Sequence, residues 1–215
     1  QIEGQGGVTL LAGTGVEHVH ADRAGARVFL ADGRTVTAKL IVAADSRFSV
    51  IREQLGIGAE INRLGRSMLV VRVAHDRPNH GIATEWFDYR QTIAMLPLGE
   101  HRSSAVLTLS SAAMERIAAY PPEVLAAEIE ERFDGRLGPM RCVSAPHVYP
   151  LATTYARHFV SDSAALIGDA AVGMHPVTAH GFNLGLQSAE TLSGLLRSAA
   201  EKRRSIASPP VSYTH

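Results

Sequence analysis

Cysteine, aromatic residues and net charge are what this 215-residue chain has least of. Its single cysteine, Cys142, excludes an intrachain disulfide and a thiolate metal cage, and it fits a reducing compartment. Lys+Arg and Asp+Glu number 21 each, which argues against a nucleic-acid partner held through phosphate charge. No apolar run approaches the ~20 residues of a bilayer-spanning helix. The opening QIEGQGG is polar and glycine-rich, unlike a signal peptide. A phosphate-cradling glycine loop is also missing. Gly13-Thr14-Gly15 follows a strand-like run, but His18 stands at the sixth position and strand-like sequence follows. The strand–turn–helix context of a dinucleotide fingerprint therefore fails, and a tight turn is expected.

Hydrophobic residues make up 46%, enough for a sizeable core. Residues 8–44 read as a strand meander: VTLLA, GVEHVH and ARVFL, with an Asp32-Gly33 hairpin turn. KLIVAAD (39–45) reads as a buried strand ending in an acid, followed by a short helix that stops at Gly56. SMLVVRV, ATEWFDY, TIAMLPL and SAVLTL predict a wide sheet, and Pro121-Pro122 opens a helix, PPEVLAAEIEERF. VSAPHVYPL and AALIG add strands. A long helix then carries Phe182, Leu186, Ala189, Leu192, Leu196 and Ala199 on one face. The expected class is α/β (α+β mixed). Residues 1–60 and 150–204 form one lobe, and a mixed β-sheet lobe, 61–149, is interleaved with it. Both ends read as cut. Residues 205–215 are set aside as a non-native or disordered tail, since PVSYTH resembles a translated frame of a transposon-end sequencing adapter.

Two patches carry chemistry. In IGDAAVGMHPVTAHGFNLGL (167–186), a buried strand runs through Gly168 to Asp169, and a helix starts near Gly181. An acid at a strand tip accepts hydrogen bonds from sugar-like hydroxyls. A helix start offers free N–H groups at Phe182 and Asn183 with a partial positive charge. Taken singly, a strand-to-helix turn is the plainer reading of Asp169; the combination favours a ligand site. His175 and His180 lack further metal ligands nearby, which favours a metal-free site. Ser163, Asp169 and His175 could form a hydrolase triad, but no nucleophile elbow is present. In ADSRFSVIR (44–52), Asp45, Arg47 and Arg52 beside a helix start suit a phosphate-bearing ligand, or else Ser46 or Ser49 simply caps the helix. Trp86, Phe87 and Tyr89 line a pocket or belong to the core.

These patches, in this order, resemble the flavin-dependent aromatic hydroxylases of the para-hydroxybenzoate hydroxylase fold. Gly168-Asp169-Ala170-Ala171, His175-Pro176 and Gly181-Phe182-Asn183-Leu184-Gly185 match the family's late motif, and Ala44-Asp45-Ser46 with Ser49 and Arg52 matches its middle one. Leu96-Pro97-Leu98 and Tyr149-Pro150-Leu151 are weaker matches. The ubiquinone-biosynthesis hydroxylases are the most similar branch, in particular the one acting on demethoxyubiquinol at its 5-position. The likeness covers nearly all of residues 7–200, without the family's N-terminal glycine-rich unit.

The resemblance implies a flavin monooxygenase with FAD as cofactor, NAD(P)H as electron donor, O₂ as co-substrate and an aromatic or quinol substrate. It implies that Gly168 and Asp169 meet the ribityl chain of FAD and that Pro176 packs beside the flavin ring. Gly181, Phe182 and Asn183 would meet the ring's pyrimidine side, with Asp45 and Arg52 toward the pyrophosphate. Ser46 stands where the family usually has glycine. The middle sheet, with Trp86–Tyr89 and Leu96-Pro97-Leu98, is the expected substrate wall. A polyprenyl substrate implies a cytoplasmic protein, peripheral on the inner face of the membrane or held in a biosynthetic complex. Competing readings are a flavin-dependent polyprenyl reductase or epoxidase, and a non-catalytic module binding an apolar ligand. The isolated 215 residues are expected to bind FAD poorly.

Overall fold

The computed structural model describes residues 6–175 and 180–202. The chain divides into two compact units, residues 1–62 with 152–215 and residues 63–151. Both crossings fall within strands, which is why they lie two residues past the boundaries read from composition.

Unit 1 begins with an antiparallel sheet of β1 (Val16–Asp22), β2 (Gly25–Leu30) and β3 (Thr35–Ala38). The Asp-Gly turn joins β2 to β3, with Gly33 at φ 84° and its N–H on Leu30 O. The VTLLA run is not a strand; it is coil and turn, with Val8, Leu10 and Leu11 exposed. Of Gly13-Thr14-Gly15, Gly13 lies in a turn with Ala12, and Thr14 and Gly15 are coil leading into β1. β4 (Ile41–Ala43) is shorter than the apolar run that contains it and leads to α1 (Val50–Gln54).

Unit 2 is built on β5 (Ala59–His75), β6 (Thr84–Phe87), β7 (Thr92–Gly99) and β8 (Arg102–Ser110). After β8 come α2 (Ser111–Ala118), α3 (Pro122–Arg132) and β9 (Met140–Cys142). The strands follow the order β5-β8-β7-β6, with β9 also on β5. Strand alternation sends one set of side chains to each face. In register, Leu69, Leu107, Ile93 and Trp86 lie in one row, and Val70, Val106, Ala94 and Glu85 in the next. The first row belongs to a buried cluster completed by Met114 and Ile117 of α2 and by Leu125 and Ile129 of α3. Trp86 packs, partly buried, against this core, and the Arg136 guanidinium lies over its ring at 4.5 Å. Of the expected substrate wall, Phe87, Leu96 and Leu98 are exposed, and Tyr89 extends fully into solvent.

The chain returns to unit 1 through β10 (His147–Ala156), then β11 (Val160–Ser161), β12 (Ala164–Leu166) and β13 (Val172–Gly173). β12 pairs with β11 antiparallel and with β4 parallel, in the register Ala164↔Ile41 to Leu166↔Ala43, and β13 pairs with the end of β10. α4 (His180–Glu201) is the long predicted helix. Its face is less covered than its periodicity suggests: Leu192 is buried, while Phe182 and Leu186 are exposed because no described element packs over them.

Candidate functional site

The site is assembled where β12 ends. Ala164, Ala165 and Leu166 are fully buried, Ile167 is extended, and Gly168 then reverses the chain at φ 57° into a short 3₁₀ turn, Gly168–Ala170. A side chain at that left-handed position would cost about 1–2 kcal/mol. The turn holds the Asp169 carboxylate at the surface, its side chain 32% exposed, while Ala170 and Ala171 anchor the turn from below.

α4 is seated on this turn. The Gly168 N–H donates to Ser188 Oγ at 3.2 Å, and the Ser188 hydroxyl donates to Gly185 O at 2.8 Å. A Cβ on Gly185 would stand 3.6 Å from Gly168 Cα, so the helix lies almost directly on backbone. The first turn of α4 projects beyond this seat. A Cβ on Gly181 would lie 4.0 Å from Asp169 Oδ1, so a larger side chain there would cover that carboxylate oxygen. Phe182 is 79% exposed and Asn183 is exposed. The leading N–H groups of a helix have no intrahelical acceptor and concentrate positive partial charge. An acceptor oxygen thus lies beside the first turn of α4. Pro176 lies outside the described residues.

The second patch sits under the first, and its side chains are largely committed to one another. Ser49 Oγ donates to Asp45 Oδ1 at 2.5 Å and accepts the Arg52 N–H at 2.9 Å, while Asp45 Oδ2 accepts the Ile51 N–H at 3.1 Å. Ser49 therefore caps α1 with Asp45 behind it. Arg52, expected toward the cofactor, is turned inward: it is 1% exposed, and Nη1 donates to Arg47 O at 3.2 Å and Ala170 O at 3.0 Å. It ties α1 to the turn that carries Asp169. Ser46, where the family usually has glycine, adopts φ 96°, a backbone suited to glycine. Ser163 is no nucleophile, since it is fully buried and its hydroxyl donates to Asp22 O at 2.6 Å. The Arg47–Asp169 ion pair, at 2.8 Å, went unread in the sequence. Its partners are 122 residues apart, and no local spacing signals the contact.

This arrangement fits the sugar-alcohol arm and electron-rich ring of a flavin: a carboxylate oxygen that no described residue hydrogen-bonds for hydroxyls, a helix start for negative charge, and glycine backbone at both. The fold and site thus define a flavin-binding class of protein.

The chain belongs to the FAD binding domain family, whose model matches residues 2–205. It is 46% identical over 199 residues to a protein of Neisseria meningitidis serogroup C named ubiquinone hydroxylase UbiM, covering 93% of this chain and 43% of that one. It is 39% identical to ubiquinone hydroxylase UbiL of Rhodospirillum rubrum (89% and 44% covered) and 30% identical to the 3-demethoxyubiquinol 3-hydroxylase of Escherichia coli (85% and 46%). The likeness to UbiM and UbiL thus exceeds that to the demethoxyubiquinol enzyme. The chain spans less than half the length of these relatives. Among solved structures, PqsL of P. aeruginosa shares the fold, with a TM-score of 0.68 at 23% identity over 87% of this chain and 54% of that one. So does CmlS, a flavin-dependent halogenase, with a TM-score of 0.66 at 19% identity over 82% and 34%. One fold thus carries different reactions.

Proposed function

We propose that this chain is the flavin-ring portion of a FAD-dependent monooxygenase that hydroxylates an electron-rich aromatic ring, a polyprenyl phenol or quinol of ubiquinone biosynthesis, with NAD(P)H and O₂. The observation that carries this is Asp169 Oδ1 placed 4.0 Å from where a Cβ on Gly181 would stand, in the first turn of α4. The relatives named ubiquinone hydroxylases support the substrate class.

When bound, FAD supplies the chemistry that moves electrons from the nicotinamide to O₂ and oxygen to the ring. The chain's residues supply placement and field. Asp169 Oδ1 would accept from the sugar-alcohol hydroxyls, while the N–H groups of Gly181, Phe182 and Asn183 would favour negative charge on the ring, a fixed-dipole effect. Met68, Val70, Ala94 and Val106 lie half-buried or buried on the face of the unit 2 sheet away from its core. That face is apolar enough to take an apolar substrate. The polyprenyl tail is drawn from the inner face of the membrane by a cytoplasmic protein in peripheral contact with it, or through a biosynthetic complex. No described helix is long and apolar enough to cross a membrane.

The test uses the complete gene product that contains this chain. Purified protein is expected to carry flavin absorbance, to oxidise NAD(P)H faster when a short-chain prenyl phenol is added, and to place ¹⁸O from ¹⁸O₂ in the product ring. Turnover without oxygen incorporation would assign a reductase instead, and absence of flavin would overturn the reading.

A further inference from the structure

We propose that Arg47 is the positioning residue for Asp169, fixing which of its oxygens the cofactor's sugar-alcohol arm receives. This rests on the FAD reading above and adds a residue that the matched motifs do not include.

Arg47 is held at both ends. Its carbonyl accepts from Thr154 Oγ1 at 3.1 Å and from Arg52 Nη1 at 3.2 Å, so its backbone is fixed by β10 and by the buried arginine of α1. Its stem lies against Gly173 of β13, where an added Cβ would come within 3.0 Å of Arg47 Cβ. The guanidinium then reaches two acceptors. Nη1 donates to Ala152 O at 2.9 Å, while Nε and Nη2 both donate to Asp169 Oδ2, at 3.2 and 2.8 Å.

The fork closes on one carboxylate oxygen rather than bridging two. Oδ2 is saturated by two charge-assisted bonds, the carboxylate plane is set, and Oδ1 is left facing Gly181. Among the described residues, no hydrogen bond to Oδ1 is present. Without Arg47 the carboxylate would rotate about its side-chain torsions and hydrate, and the ligand would have to order it on binding. Lysine is a partial substitute, since a point charge reaches Oδ2 but cannot also hold Ala152 O in a planar fork.

The experiment measures flavin dissociation constants of the complete gene product by fluorescence quenching, for wild type, Arg47→Gln, Arg47→Lys, Asp169→Asn and the Arg47→Gln/Asp169→Asn double variant. FAD and riboflavin are both used as probes. Arg47→Gln is expected to weaken both flavins by a similar factor of roughly ten, and Arg47→Lys to recover part of that loss. In the Asp169→Asn background, Arg47→Gln should add little. A merely structural role would weaken binding equally in either background, which overturns the proposal. So does wild-type affinity in Arg47→Gln, or a loss confined to FAD, which would place Arg47 on the pyrophosphate. If wild type binds no flavin, it is the FAD reading that fails.

Discussion

The two units are held together in different ways. Unit 2 is a scaffold of long apolar side chains: Leu69, Val71, Val73, Ile93, Leu107, Leu109, Leu125, Ile129 and Phe133 fill a single buried cluster between sheet and helices. Among the described residues of unit 1 the apolar clusters are small, and Ala43, Ala156, Ala165 and Ala171 are among their buried members beside Ile57, Leu166 and Leu192. Where unit 1 lacks apolar bulk it uses polar ties: the Asp45–Ser49 cap, the inward Arg52 and the Arg47 fork. Hydrophobic burial is non-directional, whereas hydrogen bonds fix angles. Unit 2 has directional contacts too, among them His75 and Asn79 on Ser103, but in unit 1 such contacts stand around the carboxylate that must present one oxygen in one orientation.

That contrast can be broken at three places. Leu107→Ala should be the most damaging, removing about 2–5 kcal/mol from unit 2 by opening a cavity in a fully buried row. Hydrogen exchange should show the loss in the amides of β5, β7 and β8 and leave β12 unchanged. Arg52→Met fills similar space but removes the Arg52 bond to Ala170 O and leaves Arg47 O with Thr154 Oγ1 alone; about 1–3 kcal/mol should be lost, read in β4 and β12 rather than in β8. If both variants loosened both units equally, the contrast would not hold. Ser46→Gly is the smallest and opposite in sign. Relief of the left-handed strain at φ 96°, less the added freedom of glycine in the unfolded chain, should stabilise unit 1 by roughly 0.5 kcal/mol, seen as a raised thermal midpoint.

Much of this was legible in the sequence because it is local. Asp32-Gly33 makes its hairpin, Ser49 caps its helix, Pro122 opens α3, and strand alternation assigns faces in unit 2. The Gly168-Asp169 and Gly181 motifs come together because a buried strand, a glycine reversal and a helix stand in close succession. The failures are of two kinds. VTLLA has strand composition, but a strand needs a neighbour, and none of the described residues supplies one. α2 was missed because SAVLTL runs straight into it; its helical signals, the Ser110 cap and the Met114/Ile117 pair, are brief. Arg52 could be read as a surface cation or a ligand, whereas its burial depends on the carbonyl of Ala170, supplied 118 residues later. Such long-range ties leave no mark in spacing.

The parallel pairing of β4 with β12 sets an order of events during synthesis. All of residues 63–151 is made between these neighbouring strands. At about 5–20 residues per second, the ribosome needs roughly 6–24 s to travel from Ile41 to its partner Ala164. Unit 2 has its whole sequence in hand during that interval, while β4 waits at the exit tunnel with an unpaired edge. A nascent chain stalled with Leu151 outside the tunnel and Ala164 still within it should therefore protect the interleaved unit from protease and leave the segment around Asp45 open to cleavage.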